Sequence, residues 1–408
     1  MEFYVFLLIL LLVTRLMGEI AYRLGESSLI GELLGGIALG GMLPFMVQYS
    51  PGFAEIPKDN AFTILADLGM FFMMLYGGVE LRSSQLVKAT VRSFGVAFFG
   101  LILPLFVGFG LSWLYIPDSS YKLAQCLFVG VAMAITAVPV SIRILMDLGQ
   151  LQSPVGRTII VAAIIDDVLS LILMAFVTAI VTLGHWPDWQ EISLLSLKVA
   201  VFFLIIYAIW HFIVPRVRRV VSSLHAEEFE FSSLLLAALT FAVLAESLGL
   251  HFILGAFAAG LFFERRYAGE KTYTEVKKRV SGITSGFLGP IFFASIGLNL
   301  DLSVLTQFPV FLLLLITVAF LTKLVGAGVP AYLSGLSPRE SLTVGVGMSA
   351  RGAVELILAD IALSAGLFSN PQPTPAIVAS LFSCIVVVSL VTTLLTPVLL
   401  KRVISSKS

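Results

Sequence analysis

The sequence predicts an all-α polytopic membrane protein of about 13 transmembrane helices. Three observations carry that prediction. Of 408 residues, 58% are hydrophobic and 12% are charged, against about 45–50% and about 25% in soluble domains. The apolar residues fall in successive runs, many of them near the roughly 20 residues a helix needs to cross the hydrocarbon core. Lysine and arginine gather in every second connection between those runs. This composition excludes a soluble globular enzyme, a disordered chain and a nucleic-acid binder. Formal net charge is zero, with 25 basic and 25 acidic residues, so there is no polybasic surface. The two cysteines, Cys126 and Cys384, sit in apolar runs and spell neither a zinc nor a disulfide pattern.

The expected spans cover about residues 3–23, 28–47, 60–81, 91–116, 122–148, 154–183, 193–215, 229–249, 251–264, 284–300, 305–335, 340–367 and 373–400. The ninth is short and glycine-rich, and Pro290 and Gly297 interrupt the tenth. The first run is expected to be a span rather than a signal peptide. Met1-Glu2 carries no basic region, and no small-residue cleavage site follows. The longest connection, about 265–283, holds Glu270, Lys271, Glu275, Lys277, Lys278 and Arg279 and is expected to form a surface amphipathic helix. With the N-terminus outside, the inner loops hold eighteen lysines and arginines, among them Arg216, Arg218 and Arg219. The outer loops then hold two, Lys58 and Lys122. The expectation is therefore an odd number of spans, N-terminus outside and C-terminus cytoplasmic.

The chain repeats itself weakly. Leu34-Gly35-Gly36-Ile37-Ala38-Leu39-Gly40 of span 2 matches Leu254-Gly255-Ala256-Phe257-Ala258-Ala259-Gly260 of span 9. Phe71-Phe72 and Gly77 of span 3 match Phe292-Phe293 and Gly297 of span 10. Val129-Gly130-Val131-Ala132-Met133 of span 5 matches Val344-Gly345-Val346-Gly347-Met348 of span 12. Each partner lies seven spans on, an odd offset, so the copies are expected in opposite orientations. The organisation expected is two inverted six-helix repeats, residues 1–183 and 226–408, joined by a linker helix in 184–225. Inverted repeats with a midplane site are a common architecture of secondary transporters.

Two spans carry breaks at matching places. Span 5 contains Thr136-Ala137-Val138-Pro139, where Pro139 removes a backbone donor. Span 12 contains Ser349-Ala350-Arg351-Gly352. Interruptions at corresponding positions of two repeats point to a binding site, because the freed backbone groups must face protein or a wet cavity. Span 6 places Asp166 and Asp167 side by side. Each costs about 2.5–3.5 kcal/mol at a helix centre on insertion scales, and intramembrane carboxylates are by default functional. Adjacent helical positions point about 100° apart, so the two acids need not share a role. Lys323, well inside span 11, is the obvious partner. The second copy has Ala379-Ser380 where the first has its acids, so one site per chain is expected. Arg351 and Glu355, four apart, are expected to neutralise each other and brace the break. Glu32 is expected to stabilise the start of span 2. The four histidines are scattered, and no metalloenzyme motif occurs.

These residues resemble the monovalent cation/proton antiporter superfamily, in the branch of Na⁺/H⁺ antiporters with the NhaA-like fold, related to Kef-type potassium transporters. The resemblance rests on Ile30-Gly31-Glu32-Leu33-Leu34-Gly35-Gly36, the Thr136–Pro139 break, Asp166-Asp167, Phe292-Phe293-Ala294-Ser295-Ile296-Gly297, Lys323 and Ser349-Ala350-Arg351-Gly352-Ala353-Val354-Glu355-Leu356. It spans nearly the whole chain. It implies that Asp167 carries the cation and the proton and that Asp166 pairs with Lys323. It also implies that two discontinuous helices cross beside them, with Pro139, Arg351, Gly352 and Glu355 supporting the breaks. Members of the family work as homodimers by an elevator motion. Here that implies a core domain of about 60–183 and 284–400 and a dimerisation domain of about 1–50 and 226–267. A bacterial or archaeal inner membrane is the implied location. The Asp-Asp pair, and a chain that ends soon after its last span, point away from a ligand-gated Kef protein. Ala353 stands where many relatives have a glutamate, with Glu355 two residues later.

The activity this implies is exchange of Na⁺ or Li⁺ for H⁺, with Na⁺ held at Asp167 by Asp166, the Thr136 hydroxyl, freed carbonyls and water. One carboxylate that holds either a proton or a cation couples the two fluxes. Transport is expected to be electrogenic if Lys323 also releases a proton. The rival readings are a K⁺/H⁺ antiporter and a sodium-coupled organic anion carrier on the same fold. Neither an enzymatic activity nor a cofactor is expected, and the partners are the ions, the lipid bilayer and a second copy of the chain.

Overall fold

The computed structural model describes residues 2–26, 28–80, 91–136, 145, 150, 153–183, 188–209, 212, 229–263 and 269–405. Pro139 lies outside the described residues, as do the side chains of Asp167 and Ala353. All the regular structure described is helical. In chain order the helices are α1 (Glu2–Arg23), α2 (Ser28–Tyr49), α3 (Asn60–Glu80), α4 (Val91–Tyr115), α5 (Lys122–Ala134), α6 (Pro154–Leu183), α7 (Trp189–Ala208) and α8 (Phe229–Ser247). They continue as α9 (Phe252–Phe262), α10 (Glu270–Ile283), α11 (Gly289–Leu298), α12 (Pro309–Leu333), α13 (Pro338–Gly347), α14 (Ala353–Ser364) and α15 (Leu381–Ser405). Short one-turn helices precede α12 and α15.

Local chemistry sets several boundaries. Glu2 in the first turn and Arg23 in the last complement the dipole of α1. Reciprocal caps start α7, through Asp188 and Glu191, and α13, through Ser337 and Glu340. Proline at the first turn of α12 and α13 removes a donor that would have no partner there.

Nine helices among the described residues are long and apolar enough to cross a membrane, against about 13 expected spans. Four further helices among the described residues fall short of a full crossing: α5 with 13 residues, α9 with 11, α13 with 10 and α14 with 12. Helix α6, with 30 residues, carries the acid pair.

The sequence suggested a separate surface helix at 265–283 followed by a broken span. The structure instead joins α10 to α11 through a π turn, Thr284–Leu288, giving one helix from Glu270 to Leu298. The Gly289 N–H reaches back five residues to the Thr284 carbonyl. This wider turn comes just before Pro290, which lacks an N–H and would clash in a regular ladder.

The chain forms two compact units. The first comprises Met1–Ser83 and Pro187–Asn299, the second Ser84–Trp186 and Leu300–Ser408. Spans 3 and 10, expected with the core, thus pack with spans 1, 2, 8 and 9. In the first unit α1 lies on α2, α8 on α9, α2 on α11 and α3 on α9. Phe6 and Phe62 meet edge to face at 5.8 Å, in a cluster with Leu10, Leu39, Ile291 and Ala294. In the second unit α4 lies on α5, α6 and α12, and α13 on α12 and α6. Ala97, Ile159, Ala163, Ala327 and Val344 fill that interior.

Glycine is needed where helices of the first unit touch backbone to backbone. A Cβ at Gly36 would stand 2.7 Å from the Ala294 Cα, and one at Gly78 would stand 2.2 Å from the Phe257 oxygen. Small residues at such crossings bring backbones into contact where lipid supplies no hydrophobic drive. Gly36→Ala and Gly78→Ala are each expected to cost about 1–3 kcal/mol by overpacking. Both should lower the thermal unfolding midpoint of the detergent-purified protein. Gly41→Ala, where nothing lies within 4 Å, should leave the midpoint unchanged or higher.

Candidate ion-binding site

The candidate site lies in the second unit, where two helices stop short. Helix α5 ends at Ala134, and Ile135 and Thr136 are not helical. Helix α13 ends at Gly347, α14 begins at Ala353, and 348–352 between them is not helical. A helix end leaves its last carbonyls without partners, and no lipid can supply one.

Arg351 solves this for α5. Its guanidinium is fully buried and donates to the carbonyls of Ala132 and Met133, and more distantly to Ile135 at 3.5 Å. A cation at a helix C-terminus also complements the dipole. The same guanidinium pairs with Glu355 at 3.2 Å, with both side chains buried. The Thr136 hydroxyl donates to the Met348 carbonyl at 3.2 Å. Residues from each interruption therefore satisfy the backbone of the other. Thr393 of α15 donates to the Arg351 carbonyl at 2.7 Å. Gly352 caps α14 in an extended conformation.

Asp166 on α6 and Lys323 on α12 form a second buried pair. The Lys323 Nζ lies 3.2 Å from Asp166 Oδ2 and 3.4 Å from Oδ1. Their side chains are 1% and 0% exposed. A charge in this setting survives only when paired and hydrogen-bonded. The second unit thus holds two buried ion pairs among its described residues, Asp166 with Lys323 and Arg351 with Glu355. Position 167 follows on α6, carrying the second carboxylate of the pair.

The structure thus brings Thr136, Arg351, Gly352 and Glu355 together at the interruptions, and pairs Asp166 with Lys323 in the same unit. Thr393 was not singled out from sequence. The available signal was the run of polar residues Ser389, Thr392, Thr393 and Thr396 in an otherwise apolar helix. Other charged groups belong elsewhere. Outside the spans, Lys122 donates to Asp118 at 2.8 Å and holds that carboxyl below its usual range. Asp301 is held low by hydrogen bonds from the Ser303 hydroxyl and amide. Glu32, expected to stabilise the start of span 2, is buried in the first unit and pairs with Arg15 at 3.4 Å. Arg15 also donates to the Ser285 carbonyl in the π turn at 2.8 Å.

Comparison with known proteins gives this arrangement its context. The profile of the family described as "Sodium/hydrogen exchanger, transmembrane" matches residues 7–404. The Na(+)/H(+)-K(+) antiporter GerN of Bacillus cereus is 34% identical over 407 residues, covering 100% of this chain and 97% of GerN. A Na(+)/H(+) antiporter of Enterococcus hirae is 29% identical over 403 residues, covering 98% of each chain. Among solved structures, the sodium proton antiporter MjNhaP1 of Methanocaldococcus jannaschii at pH 8 superposes with a TM-score of 0.69. That match covers 98% of this chain and 96% of MjNhaP1 and, at 20% identity, is a likeness of fold. The chain is an integral membrane protein of the sodium/hydrogen exchanger family, whose members are cation/proton antiporters.

Proposed function

We propose that the protein exchanges Na⁺ or Li⁺ for H⁺ by alternating access, with the Asp167 carboxylate as the competitive site. The observation that carries this reading is the Asp166–Lys323 pair, fully buried at 3.2 Å, one position before a second carboxylate on the same helix. Asp166 is neutralised by Lys323, which leaves Asp167 to take either a proton or a partly dehydrated cation. A hard monovalent cation prefers oxygen ligands, and Asp167, Asp166, the Thr136 hydroxyl and water supply them. The Arg351–Glu355 pair and Gly352 support the break, as Pro139 does on the other helix. No cofactor enters this cycle, since the ions are cargo. The adjacent acids suit transport better than aspartyl-protease chemistry, in which two carboxylates share a proton across a site.

Two inverted repeats joined by α7 are the proposed architecture, completing about 13 spans. The packing supports it. Moving on by seven spans exchanges α1 for α8, α2 for α9, α3 for α10–α11, α4 for α12, α5 for α13–α14 and α6 for α15. Under that exchange the contact of α1 with α2 becomes that of α8 with α9, and α2 with α11 becomes α9 with α3. Likewise α4 with α5 becomes α12 with α13, and α5 with α15 becomes α13 with α6. In this reading the second unit is the transport domain of an elevator and the first is the dimerisation domain of a homodimer. The N-terminus lies outside and the C-terminus in the cytoplasm of a prokaryotic cell.

A second reading is K⁺/H⁺ exchange, favoured by the similarity to GerN, named for both Na⁺ and K⁺. A sodium-coupled organic anion carrier is a third, weakened by the adjacent acids and the lysine that pairs with Asp166. Proteoliposomes loaded with a pH dye and given Na⁺, Li⁺ and K⁺ in turn separate the first two. Asp167→Asn should abolish dye-detected exchange with every cation, and wild-type rates would overturn the assignment. If Lys323 releases the second proton, transport moves one net charge per cycle. Current on a solid-supported membrane should then reverse with the Na⁺ gradient. Lys323→Gln should lose that current while residual exchange continues. Arg351→Met should lower stability by about 3–5 kcal/mol, the cost of leaving a buried partner charge unpaired, and the loss should appear in the unfolding midpoint of purified protein.

A further inference from the structure

Hydroxyls buried in apolar helices have a simple way out: they donate to the carbonyl four residues back. The buried hydroxyls of this chain take it repeatedly. Thr14 donates to the Leu10 carbonyl at 2.7 Å, Ser112 to Gly108 at 2.8 Å, Ser349 to Gly345 at 2.8 Å and Thr392 to Val388 at 2.8 Å. Ser170 does not. It is 1% exposed, yet its Oγ has no hydrogen-bond partner among the described residues. The carbonyl it declines is that of Asp166, one turn back on α6.

Its position gives this meaning. Four residues after Asp166 is about 40° round the helix, and position 167 is about 100° round. Ser170 therefore sits one turn along α6, at an angle between the two acids. Other buried side-chain atoms without partners include Ser119 Oγ, in the loop after α4, and Ser341 Oγ, near the start of α13. Ser170 alone of these three hydroxyls lies on the helix that carries the acid pair.

We propose that the Ser170 hydroxyl is an oxygen ligand for the transported monovalent cation, kept free of the helix backbone so that its lone pairs are available when the ion arrives. The idea rests on the assignment of Asp166–Asp167 as the ion site and adds a neutral oxygen to it. A neutral ligand adds affinity and size selectivity without adding a charge that protons would also occupy. Ser170 is then a determinant of cation affinity and of the preference among Li⁺, Na⁺ and K⁺, not a proton carrier.

The test measures exchange in proteoliposomes across Na⁺, Li⁺ and K⁺ concentrations for the wild type, Ser170→Ala, Ser170→Thr and Asp167→Asn, each with its unfolding midpoint. Ser170→Ala should raise the KM of the preferred cation by about 3- to 10-fold, the range of one net hydrogen-bond-strength interaction. Its maximal rate should change less, the ranking of the three cations should shift, and its midpoint should not fall. Ser170→Thr, which keeps the hydroxyl, should restore most of the affinity. A wild-type KM in Ser170→Ala, with Asp167→Asn inactive, overturns the role of Ser170 and leaves the acid site standing. Equal loss in the alanine and threonine variants assigns the effect to packing and also overturns it. Exchange at wild-type rate in Asp167→Asn overturns the acid site itself, and the Ser170 proposal with it.

Discussion

The site depends on one constraint: a helix interrupted at membrane depth must find partners for its free carbonyls, because hydrocarbon offers none. Arg351 is the answer. Its guanidinium reaches the carbonyls of Ala132, Met133 and Ile135 at the end of α5 from a position 219 residues later than Ala132. The interruption between α13 and α14 thereby holds the interruption after α5 in place, and Thr136 returns a bond to Met348. Remove the arginine, and neither half-helix keeps a defined end.

The charge balance follows from the same placement. A buried guanidinium needs an anion, and Glu355 supplies it one turn along α14. Lys323 needs another, and Asp166 supplies it from α6. Two cations and two carboxylates are thereby paired, and Asp167, the proposed carrier, is the second acid of the same helix, where a passing ion or proton would decide its charge. That is the physical basis for reading an antiporter in this unit rather than an inert structural network.

Both units also pack through glycine: Gly36 meets Ala294 and Gly78 meets Phe257 in the first, and Gly326 meets Phe99 and Gly345 meets Leu324 in the second, while the Arg15–Glu32 pair ties α1 to α2 in the first. The π turn between α10 and α11 is part of the same economy: it lets Pro290 enter a continuous helix.

Sequence alone determined the membrane class, because composition reports the solvent directly. It also exposed the acid pair, the lysine and the two breaks, since charges and lost donors in apolar runs stand out against a uniform background. It linked Arg351 to Glu355, because helical spacing is local. What only the tertiary structure decided is where the guanidinium goes next. Its carbonyl partners lie on another helix, and no periodicity encodes that. The grouping of spans 3 and 10 with spans 1, 2, 8 and 9, the continuous helix through Pro290, the bond from Thr393 and the unpartnered hydroxyl of Ser170 are of the same kind. Each depends on which backbone surfaces meet in space, and a one-dimensional pattern records burial without recording the neighbour.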